Sequence, residues 1–420
     1  MTVVSLFSRK SLLLAVALLV PALSGRAAAT EPLSLETALQ IALENNPTLQ
    51  AASGRIDAAT GRAIQARAWS NPELELAAED WPLRSRGYKD SKRTIGLSQT
   101  IPFPGKRSLG KQAGGAGVKV SEAERAMRRL ELVRDVKIAF CRVLTLERQV
   151  ALSAKLLAVA NDSSLTAGKR VEAGAAPLQE QLRAEVQAEQ AKAEAGDLQR
   201  ELAAARQALA AELGRPDLVD AKLAGELAEQ PTADLLARAD GDALETHPAI
   251  RAAQANLERA ELESRRARLE AYPDVKVGVA AGEAGETGQS IGQVSLSLPL
   301  PLLDRGKGLR QEARANVNVA KAELHAMRLQ LQRDLADAAG RYRTACQQVK
   351  GYRERILPKA VEALRLVQAG YEEGKFGFAD LVDTQRTTAE VQMTYQSRLL
   401  EMNAAHAELE ALLITTAPKS

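Results

Sequence analysis

The chain contains one internal duplication, and this repeat is the feature that most limits how it can fold. The segment ENNPTLQAA at residues 44–52 returns as ETHPAIRAA at residues 245–253, an offset of 201 residues. Further matches follow in the same order: RAWSNPELELAA (67–78) with RLEAYPDVKVGVAA (268–281), and TIPFPGKR (100–107) with SLPLPLLDRGK (297–307), at offsets between 197 and 201. Because one pair of long repeats fills the chain, we predict two pseudo-symmetric halves of one body rather than a solenoid of short units.

Residues 1–29 have the features of a secretory signal peptide. Arg9 and Lys10 precede a short apolar run, which is followed by a proline and a stretch of small residues. The apolar run is shorter than the roughly 20 residues that a membrane-spanning helix needs. We therefore expect an exported chain in which residues 30–225 form the first repeat and residues 226–420 the second.

Charge and cysteine content argue against two classes of protein. Removal of the signal peptide leaves 53 basic residues against 53 acidic ones, interspersed along the chain, so no basic excess is available to bind nucleic acid. The two cysteines, Cys141 and Cys346, lie inside helical patterns and do not form the framework of a disulfide-rich domain. The sequence leaves open whether they are free thiols or joined in one bridge.

Apolar residues at steps of three and four predict unusually long helices. Long helices are expected over about 108–168 and 178–213 in the first repeat, and over about 307–370 and 379–413 in the second; shorter ones are expected over 35–45, 47–68, 233–245 and 248–271. At 1.5 Å per residue, a helix of about 60 residues extends roughly 90 Å. Helices of this length must pack side by side as coiled coils, and the aromatic content of only 3% fits such close packing.

Between the short and the long helices of each repeat, the sequence alternates between apolar and polar residues. This period of two predicts a β-hairpin over about 72–101 and another over about 273–300. One face of these strands is apolar, and the other is polar or small, with Glu73, Glu75, Lys276, Gln293, Ser295 and Ser297. Such strands are typical of a transmembrane β-barrel, although four strands cannot close one. The alternative is a pair of amphipathic hairpins packed on a soluble core.

These features together resemble the TolC-like outer-membrane factor family over essentially the whole mature chain. The segments NPELELAAEDW and SQTIPFPGKR (98–107) resemble its CzcC-type subset, which serves heavy-metal cation efflux. The resemblance implies a mainly α fold with transmembrane β structure. Three copies would pool their strands into a 12-stranded barrel in the outer membrane, continued by an α-helical barrel in the periplasm.

The same resemblance implies a function and partners. The chain would be the passive exit duct of a tripartite efflux pump, working with a periplasmic adaptor protein and an inner-membrane RND-type transporter. Cobalt, zinc or cadmium ions are the expected cargo, and multidrug efflux or type I secretion is the alternative. A periplasmic coiled-coil adaptor is a further alternative, disfavoured because adaptors carry compact β domains around one helical hairpin.

The resemblance also places a gate at the periplasmic tip of the helices. Its pattern, a glycine with acids six and nine residues later, is matched by Gly374, Asp380 and Asp383 in YEEGKFGFADLVD. The two aspartates share one helix face, so three copies would give rings of negative charge that attract cations. The alternative is ordinary solvated charge, because acids are favoured in the first turn of any helix.

The first repeat carries a related pattern at its own tip. Gly174 is followed six residues later by Glu180, which matches a gate acid that pairs with a tyrosine on a neighbouring coil, here Tyr371. The resemblance further implies that the adaptor contacts the turns at Gly174 and Gly374. Phe376 departs from the family, because a basic residue occupies its position in better-known members.

No catalytic chemistry is expected. The residues offer no combination of nucleophile, base and oxyanion donors, so we predict that the protein is not an enzyme and has no cofactor. His247, His325 and His406 are scattered without ligand spacing to one another or to the cysteines, and no metal-binding site is predicted.

Overall fold

The structure is a computed structural model that describes residues 32–80, 91–239, 243–285 and 287–413. The predicted signal peptide at 1–29 and the last residues of the second repeat, 414–420, lie outside these ranges.

Helices and strands follow one another in the same order in both halves of the chain. The first half contains β1 (Leu33–Ser34), α1 (Leu35–Asn45), α2 (Pro47–Arg67), β2 (Glu73–Glu79), β3 (Lys92–Ile101), α3 (Lys106–Glu172), α4 (Leu178–Glu212) and β4 (Leu223–Ala224). The second contains α5 (Ala233–Ala239), α6 (Pro248–Leu269), β5 (Val275–Glu283), β6 (Ser290–Ser297), α7 (Lys307–Gly351), α8 (Leu357–Glu372) and α9 (Phe378–Leu413). In this order α2, β2, β3, α3 and α4 correspond to α6, β5, β6, α7 with α8, and α9.

The long helices are confirmed. α3 has 67 residues and extends roughly 100 Å. Its first turns pack against α2 and α6, and its later part packs against α4 and α9. The residues expected on its apolar face, such as Val136 and Val143, are fully buried. Among the helices in the described ranges, none combines the length and the apolar character needed to cross a membrane.

The main hydrophobic core lies where α1, α3, α7 and α9 meet. Phe140, Tyr342, Leu399 and Leu409 are almost completely buried there. The short strands β1 and β4 pair in parallel beside this core and connect the two ends of the first repeat. The core therefore joins residues of both repeats into one body.

The four predicted strands form one antiparallel sheet in the order β2-β3-β5-β6. Within the hairpins, Glu75 pairs with Gly96 and Lys276 pairs with Ser297. Both partners in the second pair lie 201 residues after those in the first, so the two hairpins have the same register. The offset of 197 that the proline-containing motifs gave for β6 is therefore wrong for strand pairing, because hydrogen-bond register and not the prolines aligns the strands.

The starts of α2 and α6 show the duplication at atomic level. The side chain of Asn46 accepts a hydrogen bond from the Thr48 N–H (2.9 Å), and His247 Nδ1 accepts one from the Ala249 N–H (3.2 Å). A proline follows each capping residue, at a position where its missing N–H is harmless. Burial lowers the pKa of His247, which keeps its ring neutral and able to accept this bond.

The predicted continuous helix over 307–370 is wrong at one point. α7 ends at Gly351, a π-helical turn covers Tyr352–Ile356, and α8 follows. The cause is Pro358, which has no N–H to donate and whose ring would clash with the carbonyl of residue 354 in a regular helix. The Leu357 N–H instead bonds to the Tyr352 carbonyl, five residues earlier.

The predicted helix over 233–245 is also shorter than expected. α5 ends at Ala239, and a separate 3-10 turn covers Ala243–Thr246. Gly241 falls between them, and glycine is an unfavourable residue inside a helix.

The two cysteines are free thiols. Both pack against the main core, and burial raises the pKa of Cys141 to about 11, although the positive charge of Lys137 opposes the shift. They act as small hydrophobic side chains rather than as a cross-link.

Candidate functional site

The two ends of the long helices are tight turns built around glycine. Gly174 and Gly374 have φ of 69° and 73°, a left-handed conformation that only glycine adopts without strain. The Ala175 N–H bonds to the Arg170 carbonyl (2.8 Å), and the Lys375 N–H bonds to the Gly370 carbonyl (2.7 Å). These bonds complete a Schellman motif at each helix end, so both glycines have a structural role whatever contacts the turns.

In the first tip, formed by α3, α4 and the turn between them, the candidate gate acid is already paired. Glu180 Oε1 accepts a hydrogen bond from Arg170 Nη1 at 2.7 Å. The Glu180 side chain is 24% exposed, and the ion pair links the last turn of α3 to the first turn of α4. Its negative charge is therefore balanced within the same hairpin.

In the second tip, formed by α8, α9 and their turn, the two aspartates lie at the start of α9. Asp380 Oδ2 accepts a hydrogen bond from the Gly377 N–H at 3.0 Å, the bond that a third-position acid makes in a capping box. Asp380 and Asp383 are both exposed, as the sequence pattern predicts for one solvent-facing side. In the described chain, neither forms an ion pair.

Aromatic residues cover the inner side of the second tip. The Phe376 ring lies against Gly370, where a Cβ atom would be 2.3 Å from the ring, so this packing requires a glycine. Tyr371 is half-buried with its ring centroid 6.4 Å from that of Phe378. Phe376 thus replaces a basic residue of the family with an apolar contact.

The chain does not bring Glu180 and Tyr371 together. The two helical hairpins meet through α3 and α9, whereas Glu180 lies on α4 and Tyr371 on α8. Within the described residues, no hydrogen bond joins this pair. A latch between these residues would therefore need a second copy of the chain.

The two tips differ in charge. Residues 168–184 carry Lys169, Arg170 and Arg183 against Glu172 and Glu180, a net charge of +1. The corresponding residues 368–384 carry Lys375 against Glu372, Glu373, Asp380 and Asp383, a net charge of −3. The negative field at the ends of the helices therefore comes from the second tip alone.

The sheet at the other end of the molecule has two different faces. One face carries ion pairs between neighbouring strands, such as Lys276 with Glu73 (2.8 Å) and Lys92 with Glu79 (2.8 Å). The other exposes Leu74, Leu76, Ile95, Leu97, Val279, Val294 and Leu296, each more than half accessible. Such an apolar surface, alternating residue by residue with a polar one, is suited to lipid on one side and water on the other.

Sequence reasoning missed two charged contacts near these sites. It did not predict Arg170 as the partner of Glu180, although a residue four before the turn glycine faces one six after it in a helical hairpin. It also missed Lys106, which is almost buried between Asp274 (2.9 Å) and Glu270 (3.2 Å) at the base of the sheet. Within the described ranges no cluster of three metal-ligating side chains is found.

A sheet with an exposed apolar face, continued by helices that extend far beyond it, defines a subunit of a channel that spans an outer membrane and reaches into the periplasm. The chain belongs to the outer membrane efflux protein family, whose sequence model matches residues 38–215 and again residues 241–413. The fold is that of outer-membrane channels and not of an enzyme.

The chain is similar to several characterised proteins. It is 29% identical to the cobalt-zinc-cadmium resistance protein CzcC of Cupriavidus metallidurans, over 92% of this chain and 91% of that protein. It is 26% identical to the nickel-cobalt-cadmium resistance protein NccC of Alcaligenes xylosoxydans, over 75% of this chain and 71% of NccC. The crystal structure of the outer membrane protein VceC from Vibrio cholerae has the same fold, with a TM-score of 0.73 and 22% identity over 90% of this chain and 95% of VceC.

Proposed function

We propose that the chain is the outer-membrane exit duct of a tripartite pump that expels heavy-metal cations. Three copies would enclose the lumen, with the sheets in the outer membrane and the long helices in the periplasm. A periplasmic adaptor and an inner-membrane RND-type transporter would supply the energy. The observation that carries the duct is the four-stranded sheet with an exposed leucine-rich face, joined to helices of roughly 100 Å.

Heavy-metal cations are the proposed cargo because of the printed functions of the relatives. CzcC and NccC are resistance proteins for cobalt, zinc, nickel and cadmium, and CzcC aligns with nearly the whole chain. The net charge of −3 at the second tip is compatible with this cargo. The alternative is a duct for organic compounds or secreted proteins, which the fold alone would also serve.

The gate would be the ring of second tips. Asp380 and Asp383 of three copies would surround the axis, and cations would interact with these exposed carboxylates before they enter the lumen. Opening would follow contact of the adaptor with the turns at Gly174 and Gly374. A Glu180–Tyr371 bond between copies would have to compete with the Arg170–Glu180 pair that the single chain already forms.

Conductance in planar bilayers tests the duct and the gate. The purified protein should give cation-selective currents that divalent cations block. An Asp380→Ala/Asp383→Ala variant should lose both properties, whereas Glu372→Ala/Glu373→Ala removes the same number of charges from the end of α8 and should retain most of the block. No current from folded, inserted protein would refute the duct, and equal behaviour of both double variants would refute the assigned gate.

The cargo is tested in cells. A host that lacks its own outer-membrane component is complemented with the wild-type chain, its adaptor and its transporter. Growth at raised zinc, cobalt or cadmium concentrations, with lower cell-associated metal, is expected. Restored tolerance of dyes and antibiotics without any change in metal tolerance would favour the multidrug alternative.

A further inference from the structure

The sheet of one copy has two open edges, and the duplication indicates how they meet. β2 and β6 are the outer strands of the described sheet. An outer strand presents unpaired backbone N–H and C=O groups, which in a membrane must find partners. Under the proposed function the partner is a second copy of the same chain, and the inference below rests on that function.

The pairing of β3 with β5 is the template, because it joins the first repeat to the second. Gly96 pairs with Ala280 and Leu97 pairs with Val279. Gly96 pairs on its other side with Glu75, so the register advances by four residues from Glu75 to Ala280 beyond the repeat offset of 201. Barrel closure requires such a fixed stagger at every junction.

The junction between copies corresponds to this template after a shift of one repeat. β6 takes the place of β3, and β2 of the next copy takes the place of β5. Because the two hairpins share one register at an offset of 201, the positions of Gly96 and Leu97 become Ser297 and Leu298. The positions of Ala280 and Val279 become Glu79 and Ala78.

We propose that β6 of one copy pairs antiparallel with β2 of the next copy, with Ser297 opposite Glu79, Leu298 opposite Ala78 and Leu300 opposite Leu76. All three pairs place like faces together. Ser297 and Glu79 lie on the polar face, and the other two pairs lie on the exposed apolar face. A slip of one residue would put apolar side chains on the polar face.

The end of β6 supports this register. The last residues of β3, from Gln99 to Ile101, pair with β5 only, because the pairing with β2 ends at Ser98. β6 ends earlier, at Ser297, yet Leu298 and Leu300 continue its apolar alternation and are 48% and 68% exposed. They occupy the place where a strand from another copy would extend β6, as β5 extends β3.

Charges at the base of the sheet fit the same junction. Lys106 follows a left-handed glycine, Gly105, and pairs with Asp274 at 2.9 Å. One repeat later, Lys307 follows the left-handed Gly306 and is exposed. The residue that corresponds to Asp274 is Glu73, at the start of β2. The pairing therefore places Lys307 of one copy beside Glu73 of the next.

Cysteine cross-linking in intact outer membranes tests the register. Ser297→Cys is combined in turn with Glu79→Cys, Ala77→Cys or Glu75→Cys, in a Cys141→Ala/Cys346→Ala background. Opposite residues of neighbouring strands have Cα atoms about 4.5–5.5 Å apart, whereas a shift of two residues separates them by roughly 8 Å. A disulfide does not form beyond about 7 Å.

The expected result is loss of the monomer band, with dimer and trimer bands on non-reducing gels, for the Glu79→Cys combination only. A Leu298→Cys/Ala78→Cys variant should give the same bands from the apolar face. Cross-linking through Ala77→Cys or Glu75→Cys instead would overturn the register. No cross-link in any combination, with protein that is folded and inserted, would overturn the strand junction.

This experiment is independent of transport. Cross-linked oligomers in a strain without metal tolerance would leave the junction standing and refute the proposed cargo. Metal tolerance and conductance without any cross-link would do the reverse.

Discussion

Lys106 holds together the base of the sheet, and its replacement is the sharpest test of how the two repeats are joined. Its side chain is 8% exposed and lies between Asp274 and Glu270, which belong to the second repeat. Asp274 also accepts a hydrogen bond from the Phe103 N–H (2.8 Å), and the Phe103 ring stacks on Tyr272 at 4.7 Å. The segment before α3 is thus fixed to the segment before β5 by charge, a backbone bond and ring contact.

The magnitude follows from the exposure of the partners. Removal of one member of a fully buried ion pair costs about 3–5 kcal/mol. Asp274 and Glu270 are 37% and 36% exposed, so water replaces part of the lysine, and the Phe103 N–H still binds Asp274. We therefore expect Lys106→Met to reduce the free energy of unfolding by about 1–2 kcal/mol, and the thermal midpoint in detergent by roughly 2–4 °C.

The pH dependence separates this cause from a packing defect. Burial alone would raise the pKa of Asp274, but the Phe103 N–H and Lys106 lower it below its ordinary value of 3.8. A lowered folded pKa gives stability that is present above the unfolded pKa and is lost as the pH falls through the folded value. The difference between wild type and Lys106→Met should hold at pH 5–8 and shrink below about pH 4.

Lys111→Met is the matched control, because Lys111 is exposed and lies one turn further along α3. It should leave the thermal midpoint unchanged. A Lys106→Met protein as stable as the control at neutral pH, or a difference that persists unchanged at pH 3, would refute the assignment of the stability to the ion pair.

Three further predictions concern other parts of the chain. Gly374→Ala should lower the free energy of unfolding by about 1–2 kcal/mol because its φ of 73° is left-handed, whereas Gly61→Ala, inside α2 with open space around its Cβ position, should raise it by about 0.5–1 kcal/mol; both are measured by chemical denaturation. Arg170→Met should leave Glu180 unpaired and increase divalent block of the conductance, and an unchanged block would show that Glu180 does not face the permeating ions. Cys141, with a pKa of about 11, should remain unmodified by iodoacetamide at pH 7.5 in folded protein and react once urea is added, as mass spectrometry would show.

The sequence predicts most of the fold because its periods are strong and local. The steps of three and four residues that mark Val136 and Val143 give α3 and α9 within a few residues of their ends. The alternation of Glu73, Leu74 and Glu75 gives β2 in the same way. In these segments burial and secondary structure follow from one pattern, and no distant contact has to be known.

Strand order and register could not be read with the same certainty. The Pro-x-Pro motifs after β3 and β6 align at an offset of 197, but the strands themselves pair at 201. Register depends on hydrogen bonds between segments distant in sequence, and the prolines donate none. Side-chain alternation fixes only whether the offset is odd or even, and both values are odd.

The candidate gate shows the same limit. The spacing from Gly374 to Asp380 locates the acids at the start of α9, because the turn and helix start are local. The neutralisation of Glu180 by Arg170 depends instead on how α3 and α4 face each other across the turn. Spacing alone assigns the same charge to both acids, whereas the structure leaves only the aspartates of the second tip unpaired.

Pro358 marks the point where the internal symmetry fails. Its repeat mate in the first half lies within the unbroken α3, whereas the second half has a π-helical turn before α8. Such turns are frequent at functional positions. The acidic tip therefore stands at the end of a separate 16-residue helix, about 24 Å beyond the π turn, and the basic tip stands at the end of a continuous helix of 67 residues. Because the two hairpins differ in both charge and continuity, the pseudo-symmetry that sets the strand register cannot be extended to the tips, and a ring of six alternating hairpins would have two kinds of contact site.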